Sequence, residues 1–374
     1  MKNVLVIFGG ASSEYEVSLR SSASVLRNIN REKYNVYTLG ITKDGRWLFY
    51  DGDIDSIENN TWEKNTVSAI ISPDKSEKAL LVFKGEKIEK IKVDIIFPVM
   101  HGKNGEDGTI QGIFEMAAIP YVGCTPLAGA MCMDKAITNT ICDAAGIPQA
   151  KWVAFTKYEL DNNKVDLKSA VDYLKFPIFV KPANAGSSVG ITKAHNEEEL
   201  EKALEIAFKE DRKVVLEETL VGREIECAVM GNDEPVASCV GEILPTAEFY
   251  DYEAKYINDS TGLAIPAILP EGVESKVQEA AKKAYLALNC SGLSRVDFFL
   301  LEDGRICLNE LNTLPGFTSI SMFPKLFAKV GVPYSELIDR LLAYAEEKHN
   351  EKWCNDKIRH CANNRWQREW HFRN

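Results

Sequence analysis

The stretch from 295 to 312 constrains the fold more than any other part of the sequence. Within it, Asp303-Gly304 stands between two apolar runs, and an Asp-Gly pair in that setting is the strongest short-range signal for a β-hairpin. If these two residues form the loop, counting back along both strands places Asp297 directly opposite Glu310. The chain is therefore expected to bring two carboxylates together on neighbouring strands.

The same count places Arg295 opposite Asn312, and because side chains alternate along a strand, all four residues are expected on one face. Two opposed carboxylates on a half-buried sheet repel each other unless a cation accompanies them. Asp, Glu and Asn supply the oxygen donors that Mg²⁺ uses when it also binds substrate phosphates. The pattern predicts two Mg²⁺ ions on Asp297, Glu310 and Asn312. The alternative is a solvated sheet face, which the flanking Phe298 disfavours.

Composition and charge exclude several classes of protein. The 374 residues include 44 Lys and Arg against 55 Asp and Glu, a formal net charge of −11, whereas nucleic-acid coats and membrane-surface proteins rely on a positive field. The apolar run near Met1 is too short for a signal-peptide core or a membrane span. Nine Cys are scattered without metal-ligand spacing, which is typical of reduced thiols. We expect a cytoplasmic protein that binds neither nucleic acid nor membranes.

The amino-terminal part alternates apolar runs with helix-like stretches. Val4–Phe8 is typical of a buried parallel strand, Gly9-Gly10 of a tight loop, and Ser13 to Glu16 matches a capping box that predicts a helix start at Ser13. Further strands are predicted at Asn35–Ile41 and Val93–Val99. This pattern indicates an open α/β layer with a site at the carboxyl ends of its strands.

Shifts in pattern divide the chain into domains. We predict an N-terminal α/β domain over residues 1–125, a central domain over 126–213 and a third domain over 214–346. Residues 347–374 lack apolar periodicity and are predicted to form a disordered tail.

A metal–phosphate site needs cations on the other side of the phosphates. Lys181 ends an apolar strand and precedes the Gly/Ser loop 186–189, whose backbone N–H groups can cradle phosphate oxygens. The loop is not a Walker motif, and the alternative is a mobile connection. Lys135 opens a helix and, by spacing alone, is typical of a surface lysine.

Several other polar segments are candidates for substrate binding. Gly9-Gly10 before a helix can receive a carboxylate, while Glu14 can hold an ammonium group. His101 lies in a Gly-rich segment after a strand, a setting equally compatible with a structural histidine. The N–H of Gly316 could stabilise an oxyanion beside Arg295, or simply belong to a Pro-Gly turn. The strand from 214 to 220 and Glu224 are candidates for contacts with adenine and ribose.

Taken together, these motifs resemble those of the D-alanine–D-alanine ligases, members of the ATP-grasp superfamily. The resemblance covers residues 1 to about 346. It is carried by Glu14–Ser18, His101–Gly112, Met133–Lys135, Gly186–Gly190, Phe249–Tyr256, Arg295–Asp297, Asn309–Thr313 and Pro315-Gly316.

The resemblance implies a mixed α/β (α+β) fold of three domains, with an N-terminal open parallel sheet and two α+β domains that clamp ATP. The residues implied to contact ATP are Lys135, Lys181, Ser188, Glu217, Glu218, Leu220, Glu224 and Lys255. Those implied to hold two Mg²⁺ or Mn²⁺ ions are Asp297, Glu310 and Asn312. Catalytic roles are implied for Glu14, Ser187, Tyr256, Arg295 and Gly316, and amino-acid binding for His101, Ser321 and Met322.

The reaction implied by the resemblance has two steps. The carboxylate of one D-alanine attacks the γ-phosphate of ATP to give an acyl phosphate, and the amine of a second D-alanine then displaces phosphate. The product, D-alanyl-D-alanine, serves peptidoglycan synthesis. The segment Phe249–Tyr256 is similar to a lid that shields the acyl phosphate from water, and a homodimer is expected.

Three alternatives stay open. Related resistance ligases join D-serine or D-lactate as the second substrate, and Ile320 departs from the polar residue of several relatives. A non-catalytic ATP-binding module is disfavoured because Glu14, Arg295 and Tyr256 are all present. A dinucleotide-dependent oxidoreductase is disfavoured because Gly9-Gly10 lacks the spaced glycines of that fingerprint.

Overall fold

The computed structural model describes residues 1–186, 189–244 and 262–351. They form three β-sheets of seven, four and five strands with helices packed against them, which confirms the mixed α/β class. Residues 334–351 are helical, so the prediction of a disordered tail from residue 347 is wrong for 347–351, and the rest of that prediction lies outside the described residues. Within those ranges, no helix is both long and apolar enough to span a membrane.

The first sheet belongs to the amino-terminal part. Its strands are β1 (Lys2–Gly9), β2 (Tyr34–Ile41), β3 (Trp47–Tyr50), β4 (Val67–Ile71), β5 (Ala79–Lys84), β6 (Lys87–Lys92) and β7 (Ile95–Val99). Its helices are α1 (Tyr15–Asn28), α2 (Ile54–Glu58) and α3 (Thr109–Ala117). The strand order is β6-β5-β4-β3-β2-β1-β7.

Only part of this sheet is parallel. Strand β1 pairs in parallel with β2 and β7, as predicted, whereas β2 through β6 pair antiparallel in succession. The physical reason is connection length: β2 and β3 are joined by a short turn, and a parallel pair needs a crossover of a dozen residues or more. The prediction of an open parallel sheet therefore covers only the edge that carries β1.

The loop after β1 differs from its predicted form. Helix α1 begins at Tyr15 with Glu14 as its N-cap, and no side chain caps it, so the predicted capping box at Ser13 is wrong. The Gly9 N–H donates to Ser18 Oγ at 2.8 Å, and the Gly10 N–H donates to the Ile41 carbonyl at 2.7 Å. Because both donors are engaged within the fold, the prediction that they receive a substrate carboxylate is wrong.

The second sheet has the order β10-β9-β11-β8. Its part of the chain contains α4 (Pro126–Met133), α5 (Lys135–Ala144), β8 (Trp152–Thr156), α6 (Lys157–Asp161), α7 (Leu167–Leu174), β9 (Ile178–Pro182), β10 (Thr192–Ala194), α8 (Glu197–Glu210) and β11 (Lys213–Glu218). Strand β11 pairs with β9 and β8. Sheet membership therefore favours a central boundary after Glu218 rather than at 213, and the division into three domains stays a prediction.

The third sheet has the order β14-β13-β12-β15-β16. Its elements are β12 (Gly222–Gly231), β13 (Val236–Leu244), β14 (Gly262–Ala264), α9 (Val273–Ala287), β15 (Gly292–Leu301), β16 (Ile306–Asn312) and α10 (Met322–Lys329). A last helix, α11, covers 334–351. Helices α9 and α10 both pack against β12 and β13, which leaves the ends of β15 and β16 to face the other two sheets.

The β15–β16 hairpin has the predicted pairs but not the predicted loop. Asp297 pairs with Glu310 and Arg295 with Asn312, as expected. The Leu301 N–H, however, donates to the Arg305 carbonyl, so the loop has three residues, 302–304, rather than two. One extra residue in β16 shifts the register back between the loop and the acidic pair.

Candidate active site

A cavity of about 950 Å³ opens where α1, α5, α10 and the β15–β16 hairpin meet. It is lined by many of the residues predicted to form the site. These are Glu14, Lys135, Glu224, Arg295, Asp297, Glu310, Asn312, Gly316, Ser321 and Met322. The fold thus brings together residues that lie almost 310 positions apart (14 to 322) in one concave space, the usual form of a small-molecule site.

The other predicted residues divide into two groups. Among the described residues, those that do not line the cavity are His101, Lys181, Glu217, Glu218 and Leu220. Those that lie outside the described residues are Ser187, Ser188, Lys255 and Tyr256.

The acidic hairpin is held by a dense set of charged contacts. The Arg295 Nε and Nη2 atoms donate to the two carboxylate oxygens of Asp297 at 2.8 and 2.7 Å, and Asn312 Nδ2 donates to Asp297 at 3.0 Å. Arg295 also forms an ion pair with Glu226 at 3.0 Å. Asp297 is only 6% exposed, so a cation is needed to keep its carboxylate ionised there.

The donor set of the hairpin fits a hard divalent cation. Asp297 and Glu310 are directly paired across the strands, and Asn312 lies on the same face. In the described parts of the chain, no cluster of three or more His, Cys, Asp and Glu side chains is suited to a metal, so the amide oxygen of Asn312 is a required member of this set. Two carboxylates and an amide leave room for phosphate oxygens as further ligands.

Glu14 lies between two glycine-containing loops. Its side chain is almost fully buried, at 4% exposure. A Cβ atom added to Gly102 would lie 2.1 Å from Glu14 Oε2, and one added to Gly186 would lie 2.8 Å from it. Both positions therefore require glycine for the carboxylate to keep its place.

Glu106 also lines the cavity, although the sequence interpretation did not single it out. Its Oε2 accepts the Gly102 N–H at 2.6 Å, and its Oε1 accepts the Leu314 N–H at 3.3 Å. Burial, and then the nearby Glu14 carboxylate, raise the pKa of Glu106 to about 8. The signal available in the sequence was its position in the polar, Gly-rich segment after β7.

His101 holds a loop in place instead of lining the cavity. Its Nδ1 donates to the Leu314 carbonyl at 2.9 Å, and its Nε2 accepts from the Ser21 hydroxyl at 3.1 Å, which in turn accepts the Phe317 N–H at 3.2 Å. Burial lowers the pKa of His101 to about 4. The neutral ring therefore fixes the 313–317 loop, which carries Gly316.

The two predicted phosphate lysines have different surroundings. Lys135 begins α5, lines the cavity and donates through Nζ to the Ala185 carbonyl at 2.7 Å, so the surface-lysine interpretation is wrong. Lys181 forms an ion pair with Glu217 at 2.5 Å, with both side chains largely buried. The Glu218 carboxylate accepts the backbone N–H of Lys151 at 2.9 Å.

The far end of the cavity is formed by the turn before α10. Thr318 N–H donates to Ser321 Oγ at 3.0 Å, and a Cβ on Gly316 would lie 2.7 Å from the same oxygen. Met322 is 4% exposed, whereas Ile320 is 40% exposed at the cavity edge. This end of the cavity thus combines one engaged hydroxyl with apolar side chains.

Comparisons with known proteins agree with this geometry. A family model described as D-ala D-ala ligase N-terminus matches residues 3–124, and one described as D-ala D-ala ligase C-terminus matches residues 141–343. The D-alanine–D-alanine ligase of Acetivibrio thermocellus is 50% identical over 373 residues, which cover 94% of this chain and 97% of that protein. That of Clostridium novyi is 49% identical over 353 residues, 94% and 99% of the two chains.

Solved structures are similar over the same length. The VanG D-Ala:D-Ser ligase from Enterococcus faecalis has a TM-score of 0.85 at 44% identity and covers 92% of this chain and 99% of its own. The D-alanine–D-alanine ligase from Coxiella burnetii also has a TM-score of 0.85, at 31% identity, with 98% and 99% coverage. This chain therefore belongs to the D-alanine–D-alanine ligase family, ATP-dependent ligases of ATP-grasp fold that use divalent metal ions.

Proposed function

We propose that this protein joins two D-alanine molecules into D-alanyl-D-alanine for peptidoglycan synthesis, with ATP converted to ADP and phosphate. The observation that carries the proposal is the shared cavity of Glu14, Lys135 and the Asp297–Glu310 pair. Such a site combines an anion for a substrate ammonium group, a cation for phosphates and a set of metal ligands.

Two Mg²⁺ or Mn²⁺ ions would be held by Asp297, Glu310 and Asn312. Bound there, they would neutralise negative charge on the phosphates of ATP as the γ-phosphoryl group is transferred. Arg295 already bonds Asp297 in the structure, which supports ionised carboxylates at this position.

In the first step, the chain acts mainly by positioning. Glu14 binds the ammonium group of the first D-alanine, which directs the carboxylate of that substrate toward the γ-phosphate. Lys135 neutralises phosphate charge beside the loop that contains Gly186. Aligning two anions that repel each other is the larger part of such a barrier, so fixed counter-charges are effective. The proposed phosphate contact of Lys181 requires its ion pair with Glu217 to be shared with ATP.

In the second step, the amine of the second D-alanine attacks the carbonyl carbon of the acyl phosphate. The tetrahedral intermediate carries an oxyanion, and we assign its stabilisation to Arg295 and the Gly316 N–H. The neutral His101 ring supports this role indirectly, because it bonds the Leu314 carbonyl in the same loop. Ser321 and Met322 would contact the second substrate.

The remaining family assignments fall on residues outside the described ranges or on the sheet edge. Ser187 and Tyr256 would close the site over the first D-alanine, and Ser188 and Lys255 would contact ATP. Glu217, Glu218 and Leu220 would face adenine and Glu224 the ribose. A homodimer in the cytoplasm is part of the same proposal, and light scattering on the purified protein tests the dimer.

D-serine is the second candidate for the second substrate, because a D-Ala:D-Ser ligase is 44% identical to this chain. The relatives at about 50% identity are D-alanine–D-alanine ligases. The cavity end also favours D-alanine: Met322 and Ile320 are apolar, and Ser321 Oγ already bonds Thr318. A hydroxymethyl group would find few partners there, which disfavours D-serine.

Phosphate release from ATP tests the proposal. We expect release that requires D-alanine and yields one dipeptide per phosphate. With D-alanine and D-serine supplied together at equal concentration, the dialanine product should predominate. Folded protein that releases no phosphate with D-alanine would refute the ligase function, and a predominantly D-alanyl-D-serine product would favour the second candidate.

A further inference from the structure

Three cysteine thiols meet behind the wall of the cavity. The sulfur atoms of Cys132, in α4, and Cys290, just before β15, lie 3.7 Å apart although 158 positions separate them in the chain. The Cys290 thiol also forms a hydrogen bond with the Cys124 thiol. We call these three residues the thiol cluster. All three are free thiols in the structure.

The members of the thiol cluster differ in their access to solvent. Cys132 is half-buried and lines the active-site cavity, whereas Cys124 is 2% and Cys290 6% exposed. A small oxidant that enters the cavity therefore meets the Cys132 sulfur first. The two buried thiols are then in place to react with whatever forms on Cys132.

We propose that Cys132 and Cys290 form an oxidative modification site at which a peroxide produces a disulfide that stops the ligase reaction. The Cys132 sulfur attacks hydrogen peroxide, an S–O bond forms as the O–O bond breaks, and one water leaves. The Cys290 sulfur then attacks the Cys132 sulfur, an S–S bond forms, the S–O bond breaks, and a second water leaves. In total, two thiols lose two electrons and two protons, and one peroxide becomes two waters.

Cys124 is suited to assist the second step. The hydrogen bond from Cys290, together with the nearby Lys348 ammonium group, lowers the pKa of the Cys124 thiol. Lys348 is held there by hydrogen bonds from its Nζ to the Gly123 carbonyl at 2.6 Å and to Ser291 Oγ at 3.2 Å. Cys124 can therefore take the proton that Cys290 must lose to become a nucleophile.

The disulfide would affect the proposed ATP site, and this consequence rests on the proposed function. Bond formation shortens the distance between the sulfur atoms from 3.7 Å to about 2.0 Å. Cys132 stands two residues before Asp134, whose carboxylate caps α5, and Lys135 is the first residue of that helix. Tying α4 to the segment before β15 therefore restrains Lys135 relative to the metal-binding hairpin.

The test treats the reduced full-length protein with hydrogen peroxide and maps its peptides without reduction. We expect a Cys132–Cys290 cross-link, at least tenfold lower ATP turnover with D-alanine, and recovery of both with dithiothreitol. Cys290→Ser should form no cross-link and retain most of its own untreated activity, and Cys132→Ser should be protected in the same way. Cys239→Ser is the matched control, because Cys239 is a buried thiol outside the cluster that contacts the Leu326 carbonyl.

Each outcome decides the matter. A cross-link between Cys124 and Cys290 instead, no cross-link at all, or equal inactivation of wild type and Cys290→Ser would overturn the proposal. Because the cross-link is read by mass, it is independent of turnover. A reduced protein without ligase activity would refute the proposed function and still leave the oxidative modification measurable.

Discussion

Gly102→Ala is the most selective perturbation of substrate binding that the structure offers. An added Cβ would lie 2.1 Å from Glu14 Oε2, well inside contact distance. The Glu14 carboxylate must then move, although it is buried and has few other positions. We expect the variant to lose the charge-assisted hydrogen bond from Glu14 to the ammonium group of the first D-alanine.

The size of the effect follows from that one contact. A hydrogen bond to a charged group contributes about 1.5–3 kcal/mol, which corresponds to a decrease of roughly 10- to 150-fold in kcat/KM for D-alanine. Gly102 also has φ +67°, and a left-handed conformation costs a non-glycine residue about 1–2 kcal/mol of stability. The variant should therefore be somewhat less stable as well as less active.

Gly85→Ala separates the two effects. Gly85 has φ +62°, but nothing lies within 4 Å of an added Cβ, so this variant carries the backbone strain without displacing Glu14. Steady-state kinetics with varied D-alanine, and urea denaturation, should show similar losses of stability in the two variants and a kinetic defect only in Gly102→Ala. Wild-type kcat/KM in Gly102→Ala would refute the placement of Glu14.

Other substitutions test the remaining parts of the site. The pKa of His101, about 4 in the fold, lies below its ordinary value of 6.5, so the neutral ring stabilises the fold above pH 6.5 and this contribution is lost as pH falls toward 4. In urea denaturation, His101→Gln should escape that loss of about 3 kcal/mol, and parallel pH profiles would contradict the assignment. Asp297→Asn should raise the Mg²⁺ concentration for half-maximal turnover roughly tenfold or more; an unchanged Mg²⁺ titration would exclude Asp297 as a ligand. Lys135→Met should raise KM for ATP about tenfold or more through the lost phosphate contact, with an unchanged melting temperature, and unaltered ATP kinetics would argue against that contact.

The hairpin shows how far local pattern can predict a site. The Asp-Gly turn and the period of two along each strand were sufficient to pair Asp297 with Glu310. The loop is one residue longer than predicted, and the extra residue in β16 compensates for it. Bulges of this kind are set by packing against neighbouring elements rather than by residue type, so the correct pairing came from two offsetting features.

Residues fixed by distant contacts could not be predicted in the same way. His101 and Glu106 lie in one Gly-rich segment, yet the structure places Glu106 on the cavity wall and His101 behind it. What separates them is the 313–317 loop, whose Leu314 carbonyl lies 213 positions from His101 in the chain. No periodicity in the segment itself carries that information. The antiparallel extension of the first sheet was missed for a related reason, because short strands of mixed polarity give weak patterns.

The central claim is that this cavity forms an acyl phosphate on D-alanine, and the fate of a carboxylate oxygen tests it most directly. The protein is supplied with ATP and D-alanine labelled with ¹⁸O in both carboxylate oxygens, and the phosphate released is analysed by mass spectrometry. If the carboxylate attacks the γ-phosphate, each inorganic phosphate carries one ¹⁸O atom. Dipeptide formation with unlabelled phosphate would contradict the account.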